Sequence, residues 1–195
     1  MATIRMNGNP VLLLVDLQRG VMKGTKASSS VIANIAQLLD RARAEGAPVI
    51  WAQHSEEQLT HGSPDWEFVP ELVPLAGEAV VQKHFNSAFE DTVLEHKLAE
   101  CAASRIVLAG AATNWCIRAT AYAALERGYD LTLVEDGHTT GDQPYFDGKI
   151  IEADNLILDL NVAMEWVTYP GRTGCSRKAS EISFVPAAPI PPAST

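Results

Sequence analysis

The feature that most constrains this chain is an alternation of short apolar runs with longer stretches of helical periodicity. The apolar runs fall at residues 11–15, 48–52, 79–82, 106–109, 131–134 and 162–167. Between the first two, residues 28–45 carry Val31, Ile35, Leu38, Leu39 and Ala42 at helical spacing. That stretch opens among serines that suit a helix cap and stops before Gly46. Helices are also predicted over 91–101, 114–127 and 145–160. Strands apolar on both faces must be covered on both faces, and intervening helices make them parallel. The expected fold class is therefore α/β: a three-layer αβα, Rossmann-like sandwich around a mostly parallel six-stranded sheet.

The 195 residues fit one such domain. The pattern divides them into an N-terminal extension (1–9), a main domain (10–170) and a C-terminal tail (171–195) that ends Pro-rich. The 24 acidic residues outnumber the 15 basic ones, giving a formal charge of −9. That balance argues against nonspecific nucleic-acid or anionic-membrane partners. The polar start of the chain has no signal-peptide core, and no apolar stretch is long enough to span a bilayer, so a cytoplasmic protein is expected. Residues 53–77 form a long segment of weak periodicity, of the kind that usually serves a function.

Three cysteines give neither a disulfide framework nor a CxxC metal spacing. Cys101 reads as a packing residue and Cys175 as part of the tail. Cys116 differs, because it follows an apolar run and a small-residue turn and opens a helix. Free N–H groups and the helix dipole there are expected to favour thiolate and to hold an oxyanion. A phosphatase CxxxxxR loop is excluded by Tyr122. In open α/β sheets, ligands collect beyond the carboxyl ends of the strands. Asp16, His54, Lys83, the turn 111–116 and Asp136 all fall there. Taken alone, Asp16 reads first as a loop-closing or capping acid, and Lys83 as a solvated strand end. Gln18 rules out an aspartyl-phosphate DxD motif at Asp16, and the turn 16–20 is not GxGxxG.

The segments VLLLVDLQ (11–18), VQKHFNSAFEDT (81–92), LAGAATNWC (108–116) and ATAYAALERGY (119–129) occur in that order, followed by VEDG (134–137). On these motifs the chain resembles the isochorismatase-like cysteine hydrolase superfamily. That group includes nicotinamidases, N-carbamoylsarcosine amidases, ureidoacrylate and maleamate amidohydrolases, and isochorismatases. The resemblance covers roughly residues 10–170 and is specific for the superfamily rather than for a substrate. It implies the strand order 3-2-1-4-5-6, and Asp16, Lys83 and Cys116 as a catalytic triad. It further implies an oxyanion hole from the N–H groups of Ala112 and Cys116, with a cis peptide at Ala111–Ala112.

The resemblance also implies that loops after the first three strands line the pocket. The residues there are Gln18, His54, Trp66, Asn86, Phe89 and Trp115. Trp66 and Trp115 could sandwich a flat substrate or pack at a subunit interface. Asn86 could bind a substrate or cap a helix, and Arg19 and Arg118 read as solvated charges before anion partners. Metal-dependent nicotinamidases carry Asp-x-His after the second strand, whereas Ala52 stands two residues before His54, and His61 cannot complete such a site. No metal and no cofactor are expected. The expected activity is thioester-mediated cleavage of a C–N bond in a small amide, ureide or lactam, by a homodimer or homotetramer. The alternatives are vinyl-ether hydrolysis of the isochorismate type, and a non-catalytic binding or thiol-sensing domain.

Overall fold

Burial on both faces accounts for the apolar runs. A computed structural model describes residues 5 and 8–185. The chain forms β1 (Asn9–Val15), α1 (Arg19–Met22), α2 (Ser28–Ala44), β2 (Val49–His54), β3 (Ala79–Lys83), α3 (Leu94–Glu100) and β4 (Ala103–Ala111). A π-helical turn (Thr113–Ile117) then leads into α4 (Arg118–Glu126) and β5 (Asp130–Thr139). A small hairpin of β6 (Gln143–Pro144) and β7 (Ile150–Ile151) precedes α5 (Ala153–Trp166), β8 (Thr168–Tyr169) and β9 (Arg172–Arg177). Most of the expected N-terminal extension, and the Pro-rich end of the tail from residue 186 on, lie outside the described residues.

One seven-stranded sheet runs in the order β3-β2-β1-β4-β5-β9-β8. Its pairs are parallel except at the β8–β9 edge. In β1, successive side chains point to opposite faces. Val11, Leu13 and Val15 pack with Leu98 of α3, Leu125 of α4 and Met164 of α5. Leu12 and Leu14 pack with Ile35 and Leu38 of α2 and with Phe184. Full burial of each such leucine contributes about 1.5–3 kcal/mol. Gly110 lies where β4 crosses closest to β1. It has φ +132°, and a Cβ there would come within 1.9 Å of the Val15 carbonyl oxygen. Only glycine fits.

The sixth strand is not the one expected. Residues 162–167 are the end of α5 and the residue that follows it, and α5 starts at Ala153 rather than at 145 because the β6–β7 hairpin occupies the earlier residues. A short apolar run does not by itself distinguish strand from helix. Here Leu160 and Met164 face the core, while Leu158, Val162 and Trp166 face outward. The sixth strand is β9, which lies beyond residue 170 and pairs in parallel with β5 through Leu131–Gly174 and Thr132–Cys175. Its sequence, RTGCSR, has no aliphatic residue to betray it. Gly174 lets the end of α5 come close, since a Cβ would meet the Val167 side chain at 2.9 Å and the Met164 carbonyl oxygen at 3.0 Å. Cys175 thus belongs to the sheet and not to a tail.

The long segment after β2 is pinned back onto the end of β1. Arg19 and Gly20 donate their N–H groups to the Glu67 and Asp65 carbonyls, and the Val69 N–H donates to the Leu17 carbonyl. Its far end is fixed by Glu78, which accepts from Arg43 and from the Trp51 indole N–H at 2.8 Å each.

Candidate active site

Three neighbouring parts of the sheet deliver one polar cluster to its carboxyl edge. Asp16 directly follows β1, in the left-handed region at φ 53°, which Asp tolerates better than most residues. Lys83 is the last residue of β3. Cys116 sits in the π-helical turn after β4, where the Ala112 carbonyl accepts from both the Trp115 and Ile117 N–H groups. Single π-type turns of this kind recur at functional sites. The Ala111–Ala112 peptide immediately before the turn is cis.

Lys83 is fully buried and holds the cluster together. Its Nζ lies 2.8 Å from Asp16 Oδ2, 3.1 Å from the Phe85 carbonyl oxygen, 3.2 Å from Cys116 Sγ and 3.2 Å from His54 Nδ1. An ammonium has three protons for these four acceptors. The other Asp16 oxygen, Oδ1, is buried with no hydrogen-bond partner. Buried acceptors are rarely left unpaired, so Asp16 keeps a free lone pair within the cluster.

Burial dominates the electrostatics. It raises the Asp16 carboxyl above its ordinary value, against the lowering influence of Lys83 and then of Cys116. Burial and then the Asp16 charge push the Cys116 thiol up to about 12, and Lys83 only partly opposes them. This corrects the expectation that the helix start favours thiolate. A helix dipole contributes at most about 2 kcal/mol, and desolvation outweighs it here. The resting group is a thiol. Burial, and then Lys83, lower the His54 imidazole below its ordinary value, so it stands neutral beside the ammonium.

The pocket residues separate into those that meet this cluster and those that do not. His54 joins it through Lys83. Trp115 precedes Cys116 and is 50% exposed, and Asn86 is exposed in the bend after Lys83. Gln18 is a brace rather than a pocket residue. It is fully buried, its Nε2 donates to the His54 and Trp66 carbonyls at 3.0 and 2.8 Å, and its Oε1 accepts from the His54 N–H at 2.9 Å. Phe89 is a core residue, tilted on Tyr129 at 6.1 Å and overlain by the Arg127 guanidinium. Trp66 donates its indole N–H to Ser55 Oγ at 2.8 Å and stacks on His61. It lines a cavity with Arg19, Phe68, Val73 and Val80 along the β3 edge. The two tryptophans therefore have different surroundings. Arg118 pairs with Asp159 at 2.6 Å and Arg19 faces Glu67 at 3.8 Å, both at the surface. Among the described residues, no group of three His, Cys, Asp or Glu side chains is placed to hold a metal ion.

The sequence reading did not single out a second buried polar cluster, formed by Thr113, His138, Asn161 and Ser176. His138 lies in the second half of β5. There the register with β4 shifts, so that Leu108 pairs with Leu133 and Gly110 with His138. The stretch EDGHTT (135–140) has no apolar pattern. Its place at a strand's carboxyl end was the only available signal.

The Isochorismatase domain family matches residues 10–155. The secreted isochorismatase effector Isc1 of Verticillium dahliae is 34% identical over 144 residues, covering 70% of this chain and 76% of that protein. A streptothricin hydrolase of Streptomyces noursei is also 34% identical over 144 residues, covering 70% of this chain and 57% of that protein. The crystal structure of an isochorismatase from Pseudomonas putida KT2440 superposes with a TM-score of 0.79 at 27% identity, over 92% of each chain. No helix of the described residues is long and apolar enough to cross a membrane. Fold, strand order and sequence agree, and the chain belongs to the isochorismatase-like cysteine hydrolase superfamily.

Proposed function

We propose that this hydrolase cleaves the C–N bond of a small amide, ureide or lactam through a Cys116 thioester, with Asp16, Lys83 and Cys116 as the triad. The observation that carries this reading is the unpartnered Asp16 Oδ1 in a buried cluster with the thiol and Lys83. Burial, and then the Asp16 charge, raise the Cys116 thiol well above its ordinary value, so the thiol is the resting form. Attack must therefore be coupled to proton transfer. The Asp16 carboxylate takes the thiol proton as Sγ bonds to the carbonyl carbon. Lys83 offsets the negative charge passing between the two groups. The N–H groups of Ala112 and Cys116 receive the oxyanion. Asp16 returns the proton to the departing nitrogen as the C–N bond breaks. Water then attacks the thioester carbonyl and gives a proton to Asp16, the C–S bond breaks to release the acid product, and Asp16 returns the proton to Sγ, which restores the thiol.

A similar maleamate amidohydrolase of Pseudomonas putida, 29% identical over 150 residues, supports an amide-type bond as the target. His54, Asn86 and Trp115 are the substrate contacts in this reading, and no metal takes part. Vinyl-ether hydrolysis is the lesser reading, because it leaves the cysteine without a role. Three free cysteines suit a reducing, cytoplasmic setting. The outward stripe of Leu158, Val162 and Trp166 on α5 suits a homodimer or homotetramer. Light scattering of Trp166→Asp tests the assembly, and an unchanged mass would remove α5 from the interface.

The main test is ammonia release from a panel of small amides and ureides, with mass spectrometry for lactam opening, run beside Cys116→Ala. Hydrolysis lost in the variant is expected. Hydrolysis that survives it would rule out the thioester.

A further inference from the structure

We propose that His138 is a positioning residue for acyl transfer at Cys116. Through the Thr113 hydroxyl it would hold the turn that carries the Ala112 and Cys116 N–H groups. This rests on the thioester reading above.

His138 and Thr113 are both fully buried. The imidazole uses both nitrogens, with Nδ1 2.9 Å from Thr113 Oγ1 and Nε2 3.0 Å from Asn161 Oδ1. The surrounding bonds fix every proton. Asn161 Nδ2 donates to the Glu135 carbonyl at 3.2 Å, which sets the amide orientation. Asn161 Oδ1 then accepts from Ser176 Oγ at 2.8 Å and from His138 Nε2–H. A flipped amide would set its oxygen against the Glu135 carbonyl. Nε2 therefore bears the hydrogen, Nδ1 is bare, and the Thr113 hydroxyl donates to it. Burial keeps the ring neutral by lowering its value to about 4.

Thr113 is the first residue of the π-helical turn and directly follows Ala112. A shift of Thr113 moves Ala112 on one side and the turn leading to Cys116 on the other. The sulfur has a separate tether, Lys83 Nζ at 3.2 Å. Loss of the His138–Thr113 bond should thus disturb oxyanion binding more than the thiol itself.

Two reagents separate these effects. With p-nitrophenyl acetate, Sγ bonds to the acetyl carbon as the thiol proton passes to Asp16. The C–O bond breaks and p-nitrophenolate leaves with the electron pair, so this step needs the oxyanion donors. With iodoacetamide, Sγ displaces iodide from a saturated carbon as the thiol proton passes to Asp16, and no oxyanion forms. His138→Leu is expected to slow acylation about tenfold or more, since a lost oxyanion donor costs on the order of 10²–10³. Alkylation of Cys116, followed by peptide mass because Cys101 and Cys175 are also free, should stay within about twofold. His138→Asn, whose Oδ1 can accept from Thr113, should restore most of the acylation rate. Thr113→Val should reproduce the defect, and it carries the test if His138→Leu does not fold. The double variant should be no slower than the slower single variant. Unchanged acylation, equal slowing by both reagents, or additive defects would overturn the positioning role. Wild-type acylation by Cys116→Ala would instead overturn the thioester reading beneath it. Acylation lost there but normal in His138→Leu would overturn the positioning role alone.

Discussion

Two buried polar clusters lie at the carboxyl edge of the sheet, and they are built on opposite principles. Around Lys83 an ammonium faces a carboxylate, four acceptors compete for three protons, and one Asp16 oxygen has no partner. Around His138 the groups are neutral and each side-chain nitrogen and oxygen in the chain from Thr113 to Ser176 has a fixed partner. An incompletely satisfied cluster can accept a proton at little structural cost, whereas a satisfied one resists movement. The difference separates a site suited to chemistry from one suited to holding position.

The comparison is broken most directly at Asp16. Asp16→Asn keeps the shape but removes the base, and the cysteine-dependent rate is expected to fall by about 10²–10⁴. The variant's steady-state rate checks this, and a loss under threefold would remove Asp16 from the proton path. Lys83→Met should leave a buried carboxylate unpaired and destabilise the fold by about 3–5 kcal/mol. Urea denaturation near neutral pH measures it. Protonation of Asp16 offsets part of the cost, so the loss should shrink as the pH is lowered.

The neutral cluster has its own signature. His138 has a folded-state value of about 4 against an ordinary 6.5. The unfolded state therefore binds the proton more tightly. The stability contribution is fully present above pH 6.5 and is lost as the pH falls toward 4. The gap is worth about 3 kcal/mol at about 1.4 kcal/mol per pH unit. Urea midpoints across that window should fall less steeply in His138→Leu than in the wild type. Parallel curves would mean that the imidazole is not desolvated. The smallest effect is expected at Gln18, which serves neither cluster directly. Gln18→Leu leaves the His54 N–H and two carbonyls without their partner and should cost about 1–3 kcal/mol. Proteolysis of the segment 55–78 should quicken, and unchanged cleavage would mean that the brace is dispensable.

The parts of the molecule legible in the sequence are those where one physical demand dominates. β1 to β5 and α2 announce themselves because a doubly covered sheet needs apolar residues and an amphipathic helix needs a period. Asp16 and Lys83 could be located because they terminate such runs. β9 could not, because a strand near the sheet edge, covered by α5, is specified by Gly174 and by polar contacts such as Ser176 to Asn161 rather than by aliphatic bulk. Gln18 and Phe89 turn inward in the expected loops, because position beyond a strand does not tell which way a side chain turns. The protonation of Cys116 was misread because helix-start arguments omit the depth of burial.

The placement of the proposed triad has a consequence for how the protein comes into being. Its members follow β1, end β3 and follow β4, and β2 separates the first two strands. The three side chains meet only after four strands have paired across long stretches of sequence. Such pairing forms late and is slow to close. A nascent or half-assembled chain therefore has its cysteine but not the carboxylate or the ammonium beside it, and under the proposed mechanism it would not turn over. Hydrolytic turnover then becomes a gauge of completed assembly.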